Sequence, residues 1–139
     1  MTKSERSYLS CAKAISDMSD HKFQIGAVLV KGHKIISSGC NSSDRTDPIQ
    51  AKLDSEKYGV ECPGRIHAET DCLLPFIKKR KNLNGAVLYV YREHKDGTLA
   101  MSRPCSSCMQ LIRQCGIRDI VYYVEGGIAR EKLEFMNRL

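Results

Sequence analysis

The chain has 139 residues, of which 42% are hydrophobic and 27% charged, so we expect residues 1–139 to form a single ordinary globular domain rather than a disordered or fibrous protein. Its first ten residues are polar and no apolar run reaches membrane-spanning length, which argues against a signal peptide, a membrane span and a membrane partner. The net charge of +6 favours anionic partners such as a nucleotide phosphate or a nucleic-acid backbone.

The first half of the chain predicts a helix, a β-hairpin and a second, shorter helix. Apolar residues recur at helical spacing near the N-terminus, and Ser4 is the expected N-cap. The apolar run at 23–30 and the segment 35–39 flank the turn sequence KGHK and predict two antiparallel strands. A polar insert follows, and within it one helix is expected to begin at Pro48 and to end at Gly59.

The second half of the chain alternates helices and strands. A helix is expected to begin at the sequence HAE (67–69), and Pro75 should kink or end it because proline removes a backbone hydrogen bond. The other predicted elements are a strand at 85–93, a helix at 105–115, a strand at 117–124 and a terminal helix at 128–139. We therefore predict an α/β fold with one mixed sheet of four or five strands and helices on both faces.

Seven cysteines are scattered through the chain, which shows no export signal. This pattern predicts a reducing, cytoplasmic compartment, where a cysteine cluster binds metal or takes part in catalysis more often than it forms disulfides. Cys72 and Cys115 fall on apolar helix faces and are expected in the core. A second, structural zinc is the less favoured outcome, because its candidate ligands lack the usual spacing: Cys11, Cys40, Cys62 and His33.

Two short motifs stand at the start of predicted helices, HAE at 67–69 and PCSSC at 104–108. Cysteines three apart in a first helical turn lie on nearly one face, and the positive end of the helix dipole favours their thiolate forms. One imidazole and two thiolates leave a fourth tetrahedral position open, as in catalytic rather than structural zinc sites. His67, Cys105 and Cys108 therefore predict a zinc site open to water, with Glu69 beside it as an unligated carboxylate.

Each part of this pattern has a simpler explanation when taken alone. A cysteine pair three apart could be a redox pair or two packed thiols, and a lone histidine is more often an ordinary hydrogen-bonded residue. The joint pattern is H-x-E followed about 35 residues later by P-C-x-x-C, which is the signature of zinc-dependent nucleobase deaminases. The hydrolytic zinc site is therefore the favoured prediction.

The chain resembles the cytidine and deoxycytidylate deaminase superfamily, because GAVLVKGHKIISSGCN, HAE, PCSSC and GIRDIVYYVEGG follow one another in the order of that family. It looks closest to the deoxycytidylate deaminases, including viral ones. The resemblance implies a three-layer cytidine-deaminase-like fold and one catalytic zinc held by His67, Cys105 and Cys108. It also implies that Glu69 shuttles protons during hydrolytic deamination of cytosine.

The same resemblance implies substrate contacts. Asn41 would bind the sugar, and the backbone N–H of Ala68 would meet the base. The insert before the HAE motif is similar to the region that closes over a mononucleotide in deoxycytidylate deaminases, so conversion of dCMP to dUMP and ammonia is the first choice. Arg103 directly precedes the PCSSC motif and is the preferred phosphate contact among four candidates: Arg45, Lys52, Arg65 and Arg103.

Two alternatives stay open. The net charge would permit action on cytosine or adenine in single-stranded DNA or RNA, but the aromatic content of 6% and the lack of tryptophan disfavour that substrate. A non-catalytic, zinc-stabilised binding module is disfavoured by Glu69, which a structural site would not need. Relatives are generally oligomeric, so the resemblance also implies a homo-oligomer.

Overall fold

The structure is a computed structural model and describes residues 2–94, 96–125 and 127–134. Within these ranges the chain forms four helices and five strands. In chain order they are α1 (Lys3–Ser16), β1 (Ile25–Lys31), β2 (Lys34–Cys40), α2 (Pro48–Tyr58), α3 (Ala68–Lys78), β3 (Val87–Arg92), α4 (Ser106–Gln114), β4 (Asp119–Val124) and β5 (Gly127–Lys132). In the part of the chain described, no helix combines the length and the apolar character needed to cross a membrane.

The five strands form one sheet in the order β2-β1-β3-β4-β5. Only the β3–β4 pair is parallel, and the other three pairs are antiparallel. The predicted hairpin is β1–β2, and the predicted parallel pairing is β3–β4, with α4 as the crossover between its strands. The mixed sheet of four or five strands is thus confirmed.

Helices cover both faces of the sheet, because successive side chains of a strand point to opposite sides. Val28 of β1 and Tyr89 of β3 pack on one side with Leu9 and Ala12 of α1. On the other side, strand residues pack against α3 and α4, in a cluster that includes Ala27, Leu29, Leu88, Val90, Ile120, Leu73 and Ile112. The three-layer arrangement agrees with the prediction.

The helix starts follow local signals, with one correction. The N-cap of α1 is Thr2 rather than Ser4, and the Thr2 hydroxyl accepts a hydrogen bond from the backbone N–H of Glu5 at 3.1 Å. The second helix begins at Pro48 as predicted. It ends at Gly59, which adopts the left-handed conformation with a φ of 72°.

Pro75 does not end α3, which continues to Lys78. The proline lies on the exposed side of the helix. The carbonyl that loses its N–H partner is therefore on the side that water reaches, where the loss is smallest. This position explains how the helix tolerates a residue that was expected to kink or end it.

The predicted terminal helix at 128–139 is wrong in its described part, because residues 127–132 form β5. This strand pairs antiparallel with β4 over six residues, from Gly127 opposite Val124 to Lys132 opposite Asp119. The pairing gives hydrogen-bond partners to an edge of β4 that a helix would have left open. Leu133 then enters the core, and residues 135–139 lie outside the described residues.

Gly39 allows α3 to lie directly against β2. A Cβ atom at this position would overlap the backbone nitrogen of Cys72 and the backbone oxygen of Ala68. We expect Gly39→Ala to lower the free energy of unfolding by roughly 1–3 kcal/mol or more, measured by urea denaturation. Ser38→Ala, at the exposed neighbouring position, should change it by less than about 0.5 kcal/mol. Equal stability of the two variants would contradict this account of the packing.

Candidate active site

The three predicted metal ligands lie at the N-terminal ends of two helices. His67 is the N-cap of α3 and Cys105 is the N-cap of α4, while Cys108 lies in the first turn of α4. Neither N-cap side chain makes a capping hydrogen bond. The two residues therefore occupy positions normally held by Ser, Thr, Asp or Asn, and their side chains are turned toward each other instead.

The donor atoms of this group are close enough to share one ion. His67 Nδ1 is 3.3 Å from Cys108 Sγ and 3.9 Å from Cys105 Sγ, and all three donor atoms lie within 4.8 Å of one another. Tetrahedral zinc, with Zn–N and Zn–S bonds of about 2.1 and 2.3 Å, would separate such donors by roughly 3.6–3.8 Å. The observed spacing and the nitrogen–sulfur donor set both fit zinc.

The same three side chains alter one another's pKa values. The pKa of the Cys105 thiol is lowered to about 3, mainly by its hydrogen bond with the Cys108 thiol and also by that with the His67 ring. The pKa values of Cys108 and His67 are raised by their hydrogen bonds with Cys105. A divalent cation would favour the deprotonated form of all three, because metal ligands bind in that form.

Glu69 lies in the first turn of α3, as the second residue of that helix. Its side chain is buried, with 5% of the residue exposed, and burial raises the pKa of its carboxyl. Ala68, the first residue of the helix, is fully buried. Its N–H belongs to the first helical turn, whose N–H groups have no acceptor within the helix and point out of its N-terminal end.

A cavity of about 320 Å³ opens onto this group, a volume typical of small ligand pockets. His67, Glu69 and Cys105 line it together with residues from the start of β1 and the segment before it, the end of β3, and the loops that follow β2 and precede α3 and α4. Those further lining residues include Phe23, Ile25, Asn41, Arg65, Arg92, Ser102 and Arg103. The cavity therefore brings together residues that are far apart in the sequence.

Asn41 lines the cavity, and it also organises one of its walls. Its Oδ1 accepts hydrogen bonds from the backbone N–H of Ile25 at 2.9 Å and from the hydroxyl of Ser19 at 2.7 Å. Its Nδ2 donates to the backbone carbonyl of Phe23 at 2.6 Å. The side chain thus ties residues 19–25 to the end of β2, and one of its two N–H bonds is left for a ligand.

The four predicted phosphate contacts are not all at the cavity. Arg65 and Arg103 line it, whereas Arg45 and Lys52 are not among its lining residues. Arg45 forms an ion pair with Asp71 at 3.1 Å, away from the mouth. Arg103 pairs with Glu131 of β5 at 3.0 Å, so its charge is partly neutralised in the structure.

Several residues that support the site have no signal in the sequence. Gln50 of α2 is fully buried and accepts a hydrogen bond from the backbone N–H of His67 at 3.2 Å. Ser102 donates to the carbonyl of Val90 at 2.9 Å and accepts from the N–H of Tyr123 at 2.8 Å, which fixes the loop before α4. A glutamine and a serine in polar stretches cannot be recognised as buried until the tertiary contacts are known.

Among the described residues, the site formed by His67, Cys105 and Cys108 is the one cluster of three or more His, Cys or acidic residues with metal-binding spacing. The candidates for a second site, Cys11, Cys40, Cys62 and His33, do not form such a cluster there. Cys72 and Cys115 are buried, as predicted for core thiols, and burial raises the pKa of Cys72 to about 12.

The chain matches the model of a family of deaminases. The family model described as the cytidine and deoxycytidylate deaminase zinc-binding region matches residues 2–124, and the chain belongs to this family. The predicted family membership is thereby confirmed. The description of the matching region as zinc-binding agrees with the donor set at the site.

The sequence identity to an individual curated relative is low. The chain is 28% identical over 110 residues to a deoxycytidylate deaminase of Schizosaccharomyces pombe, an alignment that covers 73% of this chain and 31% of that protein. It therefore spans about a third of the length of this curated relative.

Two solved structures share the fold. One is a cyanophage S-TIM5 dCMP deaminase in apo form, with 23% identity, a TM-score of 0.58 and coverage of 86% of this chain and 82% of that one. The other is a cytidine deaminase from Burkholderia pseudomallei, with 20% identity, a TM-score of 0.62 and coverage of 95% and 93%. The predicted cytidine-deaminase-like fold is thus confirmed.

Proposed function

We propose that the chain catalyses zinc-dependent hydrolytic deamination of the cytosine base of a nucleoside monophosphate, converting dCMP to dUMP and ammonia. One observation carries the proposal: His67, Cys105 and Cys108 converge at the edge of a cavity that also holds the buried carboxyl of Glu69. Family membership and the name of the yeast relative support it. A purely structural metal site would have no use for a buried carboxyl beside it.

In this proposal His67, Cys105 and Cys108 hold one zinc ion. When bound, zinc supplies Lewis acidity that lowers the pKa of a coordinated water toward neutrality. Three protein ligands are the number that would hold zinc in a catalytic rather than a structural site. Gln50 and the N-cap geometry of the two helices hold the ligating segments in place.

Glu69 moves the protons of the reaction. Water adds to C4 of cytosine, the bond from C4 to the amino nitrogen breaks, and uracil and ammonia are the products. Glu69 accepts one proton from the attacking water and delivers it to the neighbouring ring nitrogen N3. It then takes the second proton from the hydroxyl on C4, which becomes the carbonyl of uracil, and gives it to the departing amino group. A carboxyl whose pKa is raised by burial suits this work, because it must both accept and return a proton near neutral pH.

The remaining predicted contacts would orient the substrate. The free N–H of Asn41 would donate to a sugar hydroxyl, and the N–H of Ala68 to an acceptor on the base. Arg103 lines the cavity and could approach a phosphate, although it would have to leave Glu131 to do so. The roles of Asn41 and Ala68 are part of the proposal, together with those of the zinc ligands and Glu69, whereas the phosphate contact of Arg103 stays a prediction.

A second candidate is deamination of cytosine or adenine within single-stranded DNA or RNA. Phe23 and Met101 line the cavity and are 44% and 53% exposed, so they offer apolar faces on which a flanking base could stack. The cation-rich lining would suit a backbone phosphate equally well. The third possibility, a non-catalytic zinc-stabilised module, does not explain why the carboxyl of Glu69 is buried beside the metal ligands.

Further features of the proposal concern the protein as a whole. We expect one zinc per chain, a single domain over residues 1–139, self-association, and action in the cytoplasm on a small-molecule nucleotide. The metal content of the purified protein and its mass in solution test the first and third of these directly.

The proposed reaction is tested by ammonia release from the zinc-loaded protein with dCMP, CMP, deoxycytidine and a cytosine-containing single-stranded oligonucleotide, measured side by side. We expect kcat/KM for dCMP to exceed that for deoxycytidine by about tenfold or more, because a charged contact to the phosphate adds binding energy. An adenine-containing oligonucleotide completes the panel. Faster reaction of an oligonucleotide would favour the second candidate, and no ammonia from any substrate would favour the non-catalytic module.

A further inference from the structure

Three arginines line the cavity, and they differ in whether an acidic side chain already neutralises their charge. Arg103 directs Nη2 to both carboxylate oxygens of Glu131, at 3.0 and 3.2 Å, and Nε to one of them at 3.4 Å. Such a multiple contact between a guanidinium and a carboxylate is among the stronger polar pairs in proteins. A substrate phosphate would therefore have to compete with Glu131 for Arg103.

Arg92 stands at the end of β3 and has no such partner. No acidic group among the described residues lies within ion-pair distance of its guanidinium, in contrast to the pairs that involve Arg45, Arg103 and Arg130. Its Nε is buried and has no hydrogen-bond acceptor in the described part of the chain. The guanidinium is thus partly desolvated and has no counter-charge, so an anion that enters the cavity Arg92 lines would interact with it favourably.

The side chain of Arg92 is also held in place before any ligand arrives. Its Cζ lies 5.2 Å from the centre of the Phe23 ring, within the range of a cation–π contact. Phe23 is in turn fixed through its backbone, because its carbonyl accepts the hydrogen bond from Asn41 and its N–H donates to the ring of His21 at 2.9 Å. The guanidinium is therefore preorganised at the cavity wall, which lowers the entropy lost on binding.

Arg65 is the remaining cation of the cavity, and it is less suited to the same task. It is exposed, whereas Arg92 is half-buried. A charge in a partly desolvated place interacts more strongly with an anion than one surrounded by water, and it is screened less by salt. The aromatic contact adds a restraint on the Arg92 guanidinium.

We propose that Arg92, held by Phe23, binds the 5′-phosphate of the substrate and thereby sets the preference of the enzyme for a nucleoside monophosphate over a nucleoside. This inference rests on the proposed function and names a residue that the sequence motifs do not contain. Arg92 is separated from the PCSSC motif by residues 93–103, and only the return of that segment to the cavity brings the two together.

The inference is tested by binding, without turnover, of the reaction product and its unphosphorylated counterpart. Zinc-loaded wild-type protein, Arg92→Gln, Arg92→Lys, Arg103→Gln and Arg65→Gln are titrated with dUMP and with deoxyuridine in a calorimeter. We expect Arg92→Gln to weaken dUMP binding by about 10- to 100-fold and deoxyuridine binding by less than about threefold. Arg92→Lys should keep part of the dUMP affinity, and Arg103→Gln should lose less than about threefold.

A purely structural Arg92–Phe23 pair would give a different result, because its loss would weaken both ligands alike. An unchanged ratio of dUMP to deoxyuridine affinity in Arg92→Gln would overturn the inference, and so would a larger loss of dUMP affinity in Arg103→Gln or Arg65→Gln. Equal binding of the two ligands by the wild-type protein would also overturn it. Because these titrations involve no deamination, they are independent of the ammonia assay that decides the proposed function.

Two further measurements complete the test. The Nε–Hε signal of Arg92 in the NMR spectrum of the wild-type protein should shift on addition of dUMP and stay in place with deoxyuridine, and this readout does not depend on the folding of any variant. A single-stranded oligonucleotide ending in deoxyuridine distinguishes the source of the phosphate. If the oligonucleotide bound more tightly than dUMP and lost that advantage in Arg92→Gln, the commitment to a free monophosphate would be wrong.

Discussion

Replacing Glu69 with glutamine is expected to lower kcat/KM for dCMP by about 1,000-fold or more while the protein keeps its fold and its zinc. Glutamine has the shape of glutamate but cannot accept a proton, and general acid–base groups contribute typically about 100- to 10,000-fold. In the proposed mechanism one carboxyl serves the attacking water, the ring nitrogen and the leaving group, so the loss should lie toward the upper end of that range. The measurement is ammonia release under saturating zinc.

The stability of the same variant separates a catalytic role from a structural one. Glu69 is buried, and burial disfavours its charged form, as the raised pKa of the carboxyl indicates. Removing the charge should therefore leave the thermal unfolding temperature unchanged or higher. Glu56→Gln, on the exposed side of α2, is the matched control and should alter neither activity nor stability. Activity of Glu69→Gln within tenfold of wild type would contradict the proton-transfer role.

The ligand group is predictable from the sequence because each of its two parts is local. A histidine and two cysteines at the starts of helices are fixed in direction by the geometry of the first helical turn. Because β1 runs antiparallel to both β2 and β3, these two strands run in the same direction, and the segments that follow them and lead to HAE and PCSSC leave the sheet at the same edge. The convergence of HAE and PCSSC then requires no information about individual side-chain contacts.

The surroundings of the ligands are not predictable in this way, because they depend on long-range contacts. Arg103 was expected near a phosphate from its place beside Pro104, but the pairing of Arg103 depends on β5, a strand that was predicted as a helix. The sequence from 128 onward has apolar residues at spacings that suit a helix, and only the open edge of β4 selects the strand. The charge that Arg103 can offer to a phosphate therefore depends on an edge element that the sequence pattern assigned wrongly.

Asn41 illustrates a further limit of sequence reasoning. The family resemblance implies a contact between this residue and the sugar, and the structure places it at the cavity. Its three hydrogen bonds to residues 19–25 reveal a second task, because they hold the wall on which Phe23 and Arg92 lie. The sequence does not reveal that Asn41 both holds the cavity wall and faces the cavity, because the first role depends on these long-range hydrogen bonds.

Removal of one zinc ligand should abolish metal binding, and α4 provides a matched pair of cysteines to test this. Cys108, in the first turn of α4, and Cys115, its C-cap, are both buried, and substitution by alanine removes one Sγ atom in either case. We expect Cys108→Ala to reduce the zinc content from about one to below about 0.1 per chain after dialysis, because only two of the three protein ligands remain. Cys115→Ala should keep about one zinc and lose only the stability that a core sulfur contributes.

Chelation extends the comparison from metal content to stability. A metal that binds only the folded state raises the free energy of unfolding by RT ln(1 + [L]/Kd), so a chelator should lower the unfolding temperature of the wild-type protein and of Cys115→Ala. It should leave that of Cys108→Ala unchanged, since this variant has no bound metal to lose. Stoichiometric zinc in Cys108→Ala, or an equal response of both variants to the chelator, would mean that the metal is held elsewhere. The cavity beside Glu69 would then lack the Lewis acid on which the proposed deamination depends.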